Sequence, residues 1–183
     1  MNLPDLVILD EKDKRLRLIS EEVTFPLDKE DKKRIQDMLD YLRLSQIDEY
    51  REKYDLRPGM GLAYIQLGIN KRIFVIVDEI EEGKFENYVV INPKIVSNSE
   101  ELIYVGEGEG CLSINRETEG IVPRYARITV DAYDIDGTPY TIRVREDLAI
   151  AFQHEIDHLN GVLFIDKIDP KNPYKNIENM REI

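Results

Sequence analysis

The stretch FQHEIDHLNG, residues 152–161, holds both histidines of the chain, His154 and His158, with Glu155 beside the first. At about 100° of rotation per residue on a helix, His158 stands roughly 40° around from His154, and Glu155 about 60° beyond His158. Both imidazoles therefore share one face, and the carboxylate reaches its margin. Leu148, Ala149, Phe152, Ile156 and Leu159 fall on the opposite side and form the dry face of a helix expected from about Asp147 to Asn160. Asp147 is the expected N-cap and Gly161 the expected left-handed stop. Ile150 and the small Ala151 flank the histidine face. A helix with one dry face, and two imidazoles among compact residues on the other, suits a buried metal site around which the rest of the chain packs.

Upstream of this helix the texture is that of short strands. RIFVIVD (72–78), ENYVVIN (86–92), ELIYV (101–105), ARITVDAYD (126–134) and PYTIRVR (139–145) are rich in β-branched and aromatic residues. Turn residues bound them, including Asp136-Gly137, and predict mostly antiparallel pairing. Farther back, Ile35, Met38, Leu39 and Leu42 recur at helical spacing, so an amphipathic helix is expected from Asp28 to about Leu44. The polar SQIDEYREKYDLRPG that follows reads as a second helix or a surface insertion, closed by Pro58-Gly59. Beyond Phe164 no helical pattern stands out. The fold class is α+β: antiparallel sheets packed around a central metal-binding helix, with an N-terminal helix and an insertion, in one domain spanning 1–183.

Composition narrows the function. With 37 acidic against 25 basic residues the formal charge is −12, which repels a phosphate backbone and argues against direct nucleic-acid binding. No apolar run approaches the ~18 to 20 residues that cross a bilayer, and no signal-peptide pattern opens the chain. The expected location is the cytoplasm, with no membrane partner. Cys111 is the only cysteine, so no intramolecular disulfide forms.

H-E-x-x-H spacing puts two nitrogen ligands on one divalent ion and leaves the glutamate free to touch a metal-bound water. A third protein ligand is needed, and the chain has no third histidine. A carboxylate or the single cysteine must supply it. Cys111 sits in YVGEGEGCLSINRE (104–117), after glycines at 106, 108 and 110. Such a run costs roughly 0.5 to 1 kcal/mol per glycine relative to alanine in regular structure, and it lets a backbone approach a ligand closely. A buried thiol in a sheet-edge bulge is the plainer reading of the same residues. A third stretch, RPGMGLAYIQLGIN (57–70), sets Gln66 within an apolar, glycine-punctuated segment. An amide N–H aimed at a developing oxyanion is worth roughly 10²- to 10³-fold in rate.

Together, GMGLAYIQ (59–66), GEGCLS (108–113) and QHEIDH (153–158) resemble, in order, the three motifs of the peptide deformylases. IVPRYARITV (121–130) is similar to the strand that follows the cysteine motif there. The resemblance implies a metallohydrolase of linear amides that removes the N-formyl group from the formyl-methionine terminus of nascent chains and releases formate. It implies Cys111, His154 and His158 as metal ligands, with Fe(II) as the usual ion and Zn, Ni or Co as substitutes. Glu155 would be the general acid and base, and Gln66 with the Leu112 N–H would bind the oxyanion. Met60, Gly61, Gly110, Ile150 and Ala151 would lie against the substrate.

The long stretch before GMGLAYIQ and the lack of a helix pattern at the C-terminus resemble the type 2 enzymes, mostly of Gram-positive bacteria. A transient ribosome contact would then lack the C-terminal helix that type 1 enzymes use. Tyr64 departs from the family pattern, where a small residue is usual; it either packs into the core or narrows the site. Three rival readings are a zinc endopeptidase, a non-catalytic module capturing formylated termini, and a structural metal site. The first leaves the cysteine segment unexplained, the second gives Glu155 no task, and the third wants a fourth protein ligand.

Overall fold

The computed structural model describes residues 1–183. Helix α1 (Lys29–Gln46) opens at Asp28, whose side chain accepts the Asp31 N–H at 2.7 Å. A short α2 (Asp48–Tyr54) follows, so the polar segment after α1 is a second helix and then an extended run. The strands are β1 (Gly61–Ala63), β2 (Ile73–Glu81), β3 (Lys84–Asn98), β4 (Leu102–Tyr104), β5 (Arg124–Tyr125), β6 (Arg127–Tyr133) and β7 (Pro139–Arg145). Helix α3 (Glu146–Leu159) carries the histidines, and β8 (Arg181–Glu182) lies near the C-terminus.

An antiparallel sheet of five strands runs in the order β1-β2-β3-β6-β7, and a second sheet of three runs β5-β4-β8. Within the latter, β4 and β8 are parallel. β2 explains how the two helices are placed. Phe74 and Ile76 point into the cluster that also holds Ala149, Phe152, Ile156 and Leu159 of α3. Ile73, Val75 and Val77 point the other way, onto Ile35, Met38, Leu39 and Leu42 of α1. A strand covered on both faces by helices reads as a continuous apolar run, as IFVIV does. Phe152 anchors α3 through edge-on contacts with Phe74 and Tyr88, at 5.5 and 5.8 Å between ring centroids.

The end of α3 matches the sequence expectation and its start does not. Gly161 has φ +72°, its N–H bonds the His158 carbonyl, and the Val162 N–H bonds that of Asp157; this pair of bonds is a Schellman stop. Asp147 is not the N-cap. β7 turns directly into the helix at Glu146, which takes φ +55° with its N–H on the Ala126 carbonyl. Arg145 takes the N-cap position, two residues before Asp147, with no side-chain cap bond, and Asp147 already lies in the first turn; Arg181 of β8 holds the Glu146 carboxylate at 2.7 Å. Tyr64 is fully buried in the α1-side cluster, with its hydroxyl on the Asp31 carbonyl at 3.1 Å. It packs the core and does not narrow the site.

Candidate active site

One turn of α3 sets the rings of His154 and His158 5.0 Å apart, centroid to centroid. The loop after β4 delivers Cys111, whose Sγ lies 3.4 Å from His158 Nε2. One ligand atom from each of the three side chains lies within 4.8 Å of the other two. A thiol and two imidazoles at that separation are a donor set for one divalent transition-metal ion. The protonation chemistry agrees. Burial, followed by the charge on His154, holds the His158 imidazole well below its ordinary value. On His154, burial works in the same direction but is outweighed by Cys111 and Glu109, which raise it. Two imidazoles this close in a dry site are not both cationic, so at least one ring keeps a nitrogen lone pair for a ligand.

His154 is oriented from behind. Its Nδ1 is 3.0 Å from Glu109 Oε1, which leaves Nε2 available to a ligand. Glu109 in turn takes both arms of Arg124 at 2.9 Å, and Arg124 reaches Asp157 at 2.6 Å. The Arg124 and Glu109 side chains are only 2% and 4% exposed. Burial would raise the Glu109 pKa, but hydrogen bonds from His154 and Arg124 hold it down to about 2. Neither Glu109 nor Arg124 was expected at the site from its segment of sequence. An acid between two glycines and an arginine entering an apolar strand were the available signals.

Glu155 is 3% exposed, and its Oε2 has no hydrogen-bond partner. Burial is the largest influence on its carboxyl, which is pushed up to about 7 against the pull of His154 and Arg124. Glycine is required at 61 for steric reasons, since a Cβ there would stand 2.6 Å from Glu155 Oε1. Gln66 lies in a 3-10 turn after β1. Its Oε1 accepts the Ala63 N–H at 2.9 Å, while Nε2 donates to Ser113 Oγ at 3.0 Å and faces Cys111 Sγ at 3.6 Å. The amide thus turns its N–H side to Cys111. The Leu112 N–H makes no backbone hydrogen bond. Arg57 clamps this loop by donating to the carbonyls of Cys111, Leu112 and Ile114 and to Asn115 Oδ1.

All these groups meet in an open pocket of about 550 Å³, lined by Met60, Gly61, Gln66, Gly110, Cys111, Leu112, Ile150, Ala151, His154 and Glu155. Every expected site residue except His158 faces it; His158 is buried beneath, against Cys111. Gly110 has open space where a side chain would be. Arg57, Asp78, Val105 and Asp147 also line the pocket and were not anticipated. A larger concavity, about 1110 Å³, lies between residues 20–25 and the β3–β6–β7 face and holds none of these groups.

The sequence model of the polypeptide deformylase family matches residues 6–174. The chain belongs to that family. It is 48% identical over 161 residues to a peptide deformylase of Oceanobacillus iheyensis, covering 88% of each chain. Peptide deformylase 2 of Bacillus subtilis is 48% identical over 164 residues, 90% of this chain and 89% of the relative. Among solved structures, a peptide deformylase from Legionella pneumophila superposes with a TM-score of 0.73 at 34% identity, covering 95% of this chain and 92% of the other. The protein is therefore an enzyme of the deformylase class, acting on N-formyl peptides of nascent chains. The family is metal-dependent, and Cys111, His154 and His158 form a group able to hold the ion. Both features expected of a type 2 deformylase are present: α2 fills the insertion, and the tail after α3 has only short 3-10 turns before β8.

Proposed function

We propose that Cys111, His154 and His158 hold one divalent ion, Fe(II) in the cell, and that Glu155 moves the protons of formyl hydrolysis at the methionine terminus of nascent chains. The chain would act in the cytoplasm as one catalytic domain; no helix is long and apolar enough to cross a membrane. When bound, the ion supplies Lewis acidity at the formyl carbonyl and acidifies water there.

The chain's own residues do the rest. Glu155 takes a proton from the attacking water and returns it to the departing amine, a role that favours a pKa near the working pH. Gln66 Nε2 and the Leu112 N–H receive the charge that develops on the formyl oxygen. Gly61 and Gly110 allow the peptide backbone to approach, while Met60, Ile150 and Ala151 take the methionine side chain. A formyl carbon bears only hydrogen where an ordinary peptide carbonyl bears a chain, so a tight floor at Glu155 selects it by size. The buried Glu155 oxygen without a partner, beside three side chains able to hold a metal, is the observation that carries this reading.

The test is formate release from a formyl-Met tripeptide by protein prepared without oxygen and loaded with Fe(II). Release that a chelator stops, with no cleavage of the acetylated peptide, is expected. Glu155→Ala should retain the metal and lose at least about 10²-fold in kcat, whereas Cys111→Ala should lose metal and turnover together. An active Glu155→Ala protein would refute the assignment.

A further inference from the structure

The formal charge of −12 sets the chain as a whole against nucleic acid, but the outer face of the β3–β6–β7 sheet has the opposite sign. In β6 and β7, Ile128, Val130, Ala132 and Val144 are buried, so Arg127, Arg143 and Arg145 stand on the far face. Register puts Arg127 opposite Arg145 and Thr129 opposite Arg143, while Lys94 of β3 lies opposite Asp131 on the same face. All four cations are exposed. Arg127 reaches only Glu101, at 3.9 Å, and Arg143, Arg145 and Lys94 make no ion pair. Glu101 and the nearby Glu146 are already held by Arg181, and Asp131 accepts the Thr141 hydroxyl at 2.6 Å. Two arginines facing each other across a strand pair are destabilising, an arrangement that a bound polyanion would relieve. The far end of the face runs into the concavity of about 1110 Å³, which Lys94, Tyr133 and Thr141 line together with Arg72 and Ser20; Glu22 and Asp131 are its only acids. Ser20 is 3% exposed and its Oγ has no hydrogen-bond partner, so this hydroxyl is left to donate to a ligand.

We propose that this face docks the phosphate backbone of RNA. From Arg127 to the concavity at Lys94 is four residues of β6, about 13 Å at 3.3 Å per residue, a length that meets several phosphates of one strand. Arginine forks match phosphate oxygens, and the Thr129 and Tyr133 hydroxyls add neutral donors. Tyr133, 37% exposed, also offers a ring on which a base can stack. An acidic protein fits less well, because the β6 and β7 positions of this face hold no large aliphatic side chain to make the apolar centre of a protein interface. β7 runs directly into α3, so Arg145 stands two residues from Asp147 on the wall of the active-site pocket. RNA on the face therefore holds that pocket beside it. The inference adds a partner to the deformylase reading and rests on it only for the purpose of the contact, which is to keep the pocket near nascent chains.

The experiment follows the fluorescence anisotropy of a labelled single-stranded RNA titrated with the Fe(II) enzyme. Binding at about 50 mM salt should weaken about 20-fold by about 200 mM, the slope of roughly three phosphate contacts. The Arg143→Glu, Arg145→Glu double variant should bind at least about tenfold more weakly while releasing formate from a formyl-Met tripeptide at the wild-type rate. Lys32→Glu, Lys33→Glu on α1 changes the net charge equally and should bind RNA as the wild type does. Equal losses in the two double variants, displacement of the RNA by poly-glutamate as readily as by unlabelled RNA, or no binding at low salt overturns the RNA surface and leaves the deformylase reading standing. Absence of formate release by the wild type overturns that reading and not the surface.

Discussion

Glu155 and Glu109 are two buried carboxylates on either side of His154, and their surroundings drive them in opposite directions. Glu155 lacks a hydrogen bond at Oε2 and is raised to about 7, mainly by burial; Glu109, bonded to His154 and Arg124, is lowered to about 2. In the metal-free protein the first shift sets a sign. The folded-state value lies above the ordinary 4.5, so the protonated form favours folding; this contribution is complete below about 4.5 and is lost as pH rises through about 7. Urea midpoints of metal-free protein should therefore fall from pH 5 to 8 more steeply than those of Glu155→Gln; identical slopes would contradict a buried, unpartnered acid. Glu109 has the opposite sign, with stability present above about 4.5 and lost as pH falls through about 2. Glu109→Gln leaves Arg124 half-paired in the interior and should cost about 3 kcal/mol. It also frees the His154 ring, so competition with a chelator should show metal affinity weakened about 10- to 100-fold. Unchanged affinity would reduce Glu109 to a purely structural role.

At the level of elements, the site exists because α3 is fixed on both sides. Its dry face is set by Phe152 against the sheet, and Gln153 bonds both the N–H and the carbonyl of Tyr125 at 2.9 Å, joining the helix to β5. α1 is tied to the turn after β1 by Tyr64, whose hydroxyl meets Asp31 while Asp31 Oδ2 holds Lys71 at 2.6 Å. Tyr64→Phe should lower stability by about 1 to 2 kcal/mol while leaving kcat/KM for a formylated peptide as it was; a drop in kcat/KM would show that this link also positions Gln66. These two elements also mark what the sequence discloses. The helical period of α1 and of the histidine helix was legible because each repeats a burial pattern over two turns or more, and β2 because its first five residues are apolar and buried in an unbroken run. β1 has only Gly-Leu-Ala, β8 only Arg-Glu, and the later part of β3 alternates around Pro93; their pairing comes from tertiary neighbours, and no local pattern records it. Cys111, His154, His158 and Gln66 were visible as motifs, whereas Asp78 and Asp147 belong to the pocket only through the fold.

Across the whole molecule, the three side chains able to hold a metal come from two places that little else connects. Cys111 sits on a glycine-rich loop between β4 and β5, and the histidines on a helix packed against the other sheet. Arg57, just before the first motif, fixes the loop from one side, and the Glu109–Arg124–Asp157 chain fixes it to α3. An ion held by Cys111 and both imidazoles adds a third tie, one that forms only in the folded state, because the unfolded chain has Cys111 more than forty residues from His154. Ligands that bind only the native state stabilise by mass action, and a metal that closes a long loop acts on the unfolded chain as a cross-link does. Removing the metal from anaerobically loaded protein should therefore lower the thermal midpoint by several degrees. Proteolysis of the metal-free form should begin in the glycine-rich segment 106–110, where few side chains hold the backbone. Cys111→Ala should melt near the metal-free wild type and show no further shift with chelator. If chelation leaves the wild-type midpoint unchanged while formate release is lost, the site is fully preformed, and the Glu109 and Arg57 contacts alone hold the loop on the helix.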